Sequence, residues 1–376
     1  MLPISEAPSK IPLISSPSAK RKKSLTRRQS PDRSQPVRHA VQFAFLALNA
    51  WIGAQFLLWV RFFESPAKGN YVERPAGMDG WLPIAGLLNL RYFLTTRQFP
   101  AIHPAAMVLF CVFVIASLLV KKSFCSWLCP IGTVSEFLWK FGRRLFGRSL
   151  ILPRWLDWPL RSLKYLLLAF FVLLVFTMSA QELGGFLESP FAMVADVKML
   201  NFFLHIGTAG IVVIALLMVL SLFIQNFWCR FLCPYGALMG IVSTLSPVKI
   251  RRDEQACIDC GKCNKTCPSH LPVDKLVQIR SAECTGCMEC VSVCPADNAL
   301  QLSLPPWPRS IADPPTPQAN RFRWRRRALQ PQVVAVLLAI VFFASIGAAR
   351  ATGHWQTGIS RELYRQLVPN ADTSDH

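Results

Sequence analysis

Apolar residues fall in blocks rather than spread evenly along the chain. Five blocks approach or reach the length of about 20 residues that a helix needs to cross a bilayer. They run about Ala40 to Val60, Pro104 to Val120, Leu163 to Ala180, Ile206 to Phe227 and Val333 to Ala349. The segments between them are polar. Residues 65–80 form a Pro/Gly-rich loop, and Gln181 to Lys198, with Glu182, Glu188 and Asp196, reads as another. Trp81 to Thr96 mixes apolar residues with Asn89 and Arg91 and predicts a helix lying at the interface. Residues 1–38, rich in Ser, Pro, Lys and Arg, predict a disordered basic tail. The pair Arg27-Arg28 is followed by Pro31 and polar residues instead of an apolar core, so no cleaved signal peptide is read. Residues 39–247 then form a four-span membrane domain and residues 248–304 a small domain outside the membrane. Residues 305–330 predict a Pro-rich basic linker, 331–349 the fifth span and 350–376 a short outer tail. The expected fold class is mainly α: a polytopic helical bundle of about five spans with a small α+β domain.

Charge changes this picture by giving it a direction. The chain has 41 Lys+Arg against 21 Asp+Glu, and 52% of its residues are hydrophobic. The excess sits in the N-terminal tail, between Lys140 and Arg161, and in Arg321 to Arg327, all flanking apolar spans. That placement follows the positive-inside rule rather than a nucleic-acid surface, so no nucleic-acid partner is read. It puts the N-terminus and the small domain in the cytoplasm and the C-terminus in the periplasm of a bacterial inner membrane. Trp139 and Trp155 read as headgroup anchors.

Cysteine spacing adds the chemistry. Twelve of the 13 cysteines lie in C-x2-C or C-x3-C spacings, and only Cys111 stands alone, as a small buried hydrophobe. Cys257-x2-Cys260-x2-Cys263-x3-Cys267-Pro268 is followed by Cys284-x2-Cys287-x2-Cys290-x3-Cys294-Pro295. Three cysteines two residues apart wrap one face of a cubane, and the fourth arrives from the other motif. The spacing therefore predicts two [4Fe–4S] clusters. One is held by Cys257, Cys260, Cys263 and Cys294, the other by Cys284, Cys287, Cys290 and Cys267. Gly261 and Gly286 sit where backbone amides can approach the sulfurs. Structural zinc favours two separated C-x2-C pairs instead.

A second pattern is repeated. Phe124-Cys125-Ser126-Trp127-Leu128-Cys129-Pro130-Ile131-Gly132 matches Trp228-Cys229-Arg230-Phe231-Leu232-Cys233-Pro234-Tyr235-Gly236, each copy following an apolar span. If the span continues as helix, cysteines at i and i+4 share a face. Cys125, Cys129, Cys229 and Cys233 could then meet about a pseudo-twofold axis, as in parallel-repeat membrane proteins. Such a site could hold a cluster, a soft metal such as Cu(I), or reversible disulfides. His103 and His205 precede the two copies by a full crossing, ~33–36 Å at 1.5 Å per residue. They could contact a quinol headgroup, accept its proton, ligate a haem, or lie at the interface without a partner.

With both cysteine patterns placed, residues 40 to 304 resemble the NapH/NosR/YccM-type membrane polyferredoxins, and the YccM-like group fits best. The shared features are the paired C-x3-C-P motifs after membrane spans and the two-cluster, bacterial-ferredoxin-like domain. The resemblance implies electron transport between the quinone pool or a cytoplasmic donor and a periplasmic redox partner such as a reductase or cytochrome. It implies cluster-ligand roles for the eight cysteines from Cys257 to Cys294. It leaves open an electron carrier or a quinol dehydrogenase subunit. A redox-sensing or copper-centre assembly role for the C-x3-C-P dithiols is the alternative. The chain departs from the NosR type in having no large flavin-binding domain before the first span. It departs from the simplest NapH type in its fifth span.

Overall fold

A computed structural model describes residues 26–29, 31–65, 71–147, 150, 152–305 and 328–371. In chain order these form α1 (Ser34–Glu64), a 3-10 turn (Ala76–Trp81), α2 (Pro83–Thr96), α3 (Pro104–Leu119), α4 (Pro130–Phe146) and α5 (Arg154–Thr177). Then come α6 (Ala180–Leu187), α7 (Pro190–Met193), α8 (Ala195–Leu204), α9 (Thr208–Phe223) and α10 (Pro234–Thr244). The small domain contributes β1 (Lys249–Arg252), α11 (Lys262–Thr266), α12 (Glu289–Ser292) and β2 (Leu300–Ser303). α13 (Pro331–Ala351) and α14 (Arg361–Leu367) complete it. Proline opens α2, α3, α4, α10 and α13, where its missing N–H has no helical partner to lose.

All five apolar blocks are helical. α1, α13 and most of α5 are long and apolar enough to cross a membrane; α8 and α9, bent by 83° at their junction, do so only as a pair. α3 has 16 residues and lies at the centre, packed by α2, α10 and α13. α2 is not a free interfacial helix. A Cβ on Gly86 would meet the Ala106 carbonyl oxygen at 2.8 Å, so the glycine lets α2 lie directly on α3. The Asn89 amide then donates to the carbonyls of Ile102 (3.0 Å) and His103 (2.9 Å).

Two expectations are corrected. The segment from Gln181 to Lys198 is mostly helical: Ser179 and Glu182 close a capping box that starts α6, so the acidic residue begins a helix instead of marking a loop. The basic tail is ordered in its described part. Arg28 N–H donates to the Pro295 carbonyl (3.1 Å) and Asp297 N–H to the Thr26 carbonyl (2.9 Å), so the tail is pinned to the cysteine-rich domain by an isolated antiparallel bridge, Arg27 to Ala296. Residues 1–25 and 30 of the tail, and 306–327 of the expected linker, lie outside the described residues.

The cysteine-rich domain has an antiparallel β1–β2 pair in the register Lys249↔Ser303 to Arg252↔Leu300. Its core residues Ile250, Val273, Ile279 and Met288 are continuous with Val120, Phe124 and Trp127 at the end of the membrane half. One apolar core therefore joins the two parts. The C-terminal tail packs too: Tyr364 of α14 sits edge-on to Trp59 of α1 at 4.9 Å.

Candidate iron–sulfur site

The two C-x2-C-x2-C loops share a backbone plan. Asp259 and Gly261 in the first, and Gly286 and Met288 at the corresponding places in the second, all have φ between 57° and 67°. These left-handed turns curl each loop so that its thiols converge. The Cys294 thiol interacts electrostatically with Cys257, Cys260 and Cys263, while Cys290 interacts with Cys284, Cys287 and Cys267. Each fourth cysteine thus lies with the other motif's three. Cys263 and Cys290 also interact, which brings the two groups of four near one another. Burial pushes the Cys263 thiol up to about 11 and Cys287 up to about 12. Backbone amides of Asn264, Glu289 and Ala296 donate to the sulfurs of Cys263, Cys287 and Cys294. Four soft donors per group, with amides aimed at the sulfurs, fit a cubane. Gly261 and Gly286 supply two of these left-handed turns.

The C-x3-C-P motifs do not continue their spans as α-helix. Lys121 (φ 54°) and Asn226 (φ 52°) break the chain, and π turns (Phe124–Leu128 and Trp228–Leu232) follow. Cys129 and Cys233 are extended and cap α4 and α10. The i and i+4 thiols converge because a π turn and a cap fold them inward. All four thiols interact with one another. Burial raises Cys125 to about 11 and Cys129 to about 12, and Cys229 also well above the usual 9.0. A half-buried quartet of thiolates is stable only with a cation or metal to offset its charge.

The four thiols line a cavity of ≈ 1260 Å³. Its middle is apolar, with Ile52, Trp81, Phe113 and Phe342, and its far end is polar, with Gln55, Glu73, Arg74 and Gln356. Its near end meets the cysteine-rich domain. There Ser126 Oγ donates to the Thr285 carbonyl (2.7 Å) and Trp127 Nε1 to the Gly286 carbonyl (3.4 Å), so residues inside the first C-x3-C-P motif hold the Cys284–Cys287 loop. Arg38, fully buried, forks onto Glu136 at 2.6 Å and reaches Glu289 at 3.1 Å. Gln35 donates to the Cys287 carbonyl (2.9 Å). These docking residues escape a sequence reading, which places Arg38 at the end of the tail. The available signal was a charge abutting an apolar span.

The two histidines are not equivalent. His205 is exposed at the end of α8. His103 is buried, with Nε2 on the Ala192 carbonyl (3.0 Å) and Nδ1 on Asp79 (2.9 Å). Nδ1 also faces the Arg74 guanidinium at 3.1 Å, so it meets a donor as well as the Asp79 carboxylate, while the Ala192 carbonyl can only accept from Nε2. Arg74 completes a buried quartet by pairing with Asp79 and with Asp196 at 2.7 Å. Asp79, His103 and Asp196 are thus engaged with one another and with Arg74. Burial alone would lower His103, but Asp79 overrides it and raises the pKa above 6.5. The stabilisation is therefore full below pH 6.5 and is lost as pH rises through the higher folded-state value. His103→Gln should cost about 3 kcal/mol at low pH, as a broken buried pair does, and flatten the alkaline limb of thermal stability in detergent. An unchanged limb would contradict the assignment.

A family model described as a 4Fe-4S binding domain matches residues 102–149 and again 206–253, once over each C-x3-C-P half. A model described as a 4Fe-4S dicluster domain matches residues 250–302. The chain is 50% identical over 339 residues to YccM of Escherichia coli (strain K12), provisionally named an electron transport protein, covering 90% of this chain and 91% of that one. It is 28% identical to the ferredoxin-type protein NapH of Escherichia coli (strain K12) over 47% of this chain and 60% of NapH. It is 26% identical to NapH of Haemophilus influenzae over 65% of this chain and 88% of that one. No solved structure matches it. These matches define a ferredoxin-type iron–sulfur protein. The chain belongs to the NapH/YccM-type polyferredoxins.

Proposed function

We propose that this protein is an inner-membrane electron carrier with two [4Fe–4S] clusters, one on Cys257, Cys260, Cys263 and Cys294 and one on Cys284, Cys287, Cys290 and Cys267. The membrane half crosses the bilayer about five times, with the cysteine-rich domain in the cytoplasm and the C-terminus outside; the Lys/Arg bias supports that orientation. Bound clusters would supply one-electron exchange. The chain's own part is to hold the thiols, exclude water and aim amides at the sulfurs. The observation that carries the reading is the seam between the halves: Ser126 and Trp127, between two C-x3-C-P thiols, hydrogen-bond the loop that bears Cys284 and Cys287. That seam links the thiols of the cysteine-rich domain to the half-buried thiol quartet and to the apolar cavity.

The quartet is read as a third site, and the 4Fe-4S domain matched over both halves favours a cluster there over Cu(I). The cavity, apolar with a polar outer end, suits the quinone pool as donor or acceptor, with a periplasmic redox protein as the other partner. Anaerobically reconstituted protein should hold about twelve iron, at four per cubane. Changing Cys125, Cys129, Cys229 and Cys233 to Ser should return it to about eight. Stoichiometric copper at the quartet would favour the metal-assembly reading, and zinc without labile sulfide would sink the carrier reading. Reduction of the centres by a quinol analogue in purified protein tests the quinone assignment; reduction by cytoplasmic donors alone would refute it.

A further inference from the structure

Lys121 and Lys122 end the second apolar block, where position alone makes them headgroup-facing charges. The structure buries both, to 0% and 4% exposure. The Lys121 backbone is anchored by its N–H on Ser246 Oγ (3.0 Å). Its ammonium donates to the Ser281 carbonyl (3.1 Å), in the turn that leads into Cys284. Gly286 rests so closely on it that an added Cβ would meet Lys121 Cβ at 3.3 Å. Burial lowers the Lys121 pKa and the Cys284 thiol opposes that; Lys249 and Lys122 are the other charges acting on it. Lys122 serves the other side. It lines the cavity beside the quartet and acts on Cys125 and Cys229. Glu283, already paired with Lys164 at 2.7 Å, is the carboxylate that acts on it.

Adjacent residues thus add a buried cation to each of two thiolate sites, beside Arg38 and Arg230, which act on Cys287 and Cys267, and Lys164, which acts on Cys125. A centre with four thiolate ligands gains negative charge when it takes an electron, and a nearby cation in a poorly screened interior favours that form. The loop from Cys257 to Cys263 has a different setting. Cys260 is exposed, Asp259 lies 3.7 Å from the Cys257 sulfur, and Asp274 acts on Cys263, with Arg28 acting on Cys294.

We propose that Lys121 and Lys122 are potential-setting counter-charges of these two sites. They raise the reduction potentials of the centres at Cys284/Cys287/Cys290/Cys267 and at the C-x3-C-P quartet above that of the centre at Cys257/Cys260/Cys263/Cys294. This rests on the three-site reading above and deepens it by ranking the sites. The lysines act through the ligands' surroundings and are positioning residues.

The test is an EPR-monitored redox titration of the full-length protein in detergent, with each signal assigned by its loss in Cys284→Ser, Cys257→Ser or Cys125→Ser. Lys121→Gln should lower the potential of the Cys284 signal. The reduced-to-oxidised ratio should fall at least tenfold at fixed potential, which is about 59 mV for one electron, while the Cys257 signal stays in place. Lys122→Gln should do the same to the Cys125 signal. Lys121→Arg should keep the unsubstituted potential. Unchanged potentials, or equal shifts of all signals, would overturn the proposal. If Lys121→Gln fails to hold iron, recovery of iron and potential in Lys121→Arg supports it, and failure of Lys121→Arg as well overturns it. Absence of iron or of EPR signals in the unsubstituted protein would instead defeat the carrier reading itself.

Discussion

Cys267→Ser should abolish the EPR signal that Cys284→Ser abolishes, and leave the signal of the Cys257 motif intact. About four of the iron atoms should be lost, one cubane's worth. The expectation runs against sequence proximity, because Cys267 is four residues from Cys263 and far from Cys284. It follows from where the chain goes after each short helix. α11 carries Cys267 away from its own loop to a buried place beside Cys284 and Cys290. Cys294, beyond α12, makes the reciprocal move and should behave as a member of the Cys257 group. Loss of the Cys257 signal in Cys267→Ser would show that each motif holds its own fourth ligand.

Gly132→Ala should be far more damaging than Gly236→Ala, although the two glycines hold the same place in the repeat. A Cβ on Gly132 would run into the Cys125 carbonyl oxygen, whereas one on Gly236 would meet the Cys229 carbonyl oxygen and the Cys233 sulfur at 3.6 Å, an ordinary contact. Overpacking against backbone costs about 1–3 kcal/mol, and here it would displace the thiol of Cys125 and the loop that Ser126 and Trp127 dock. Gly236→Ala gains the usual helix preference of about 0.5–1 kcal/mol. Thermal unfolding in detergent and iron content check both, and equal effects in the two variants would contradict the packing difference.

Much of this was legible in the spacing of residues. The helices follow the apolar blocks, and the cysteine loops follow their C-x2-C rhythm, because both are local patterns. The repeat was also visible, but its inequality was not. His103 and His205 occupy matching places in sequence, yet one is buried by Asp79 and Asp196, which arrive from the 3-10 turn and from α8. Arg38 reads as part of a solvated tail until Glu136 and Glu289 are brought against it from elsewhere in the chain. Lys121 and Lys122 look like topology signals, and only the docking of the cysteine-rich domain encloses them. In each case the missing fact is a long-range contact, which no periodicity records.

The isolated bridge between Arg27 and Ala296 orders the chain's biogenesis. The earliest described residues pair with a segment made hundreds of codons later, so this clasp is a contact of very high order, with a correspondingly late closure. It cannot close until residues 295–297 have left the ribosome. By then the twelve cysteines of both patterns have been synthesised, so iron and sulfide can reach the thiols before the N-terminus shuts over them.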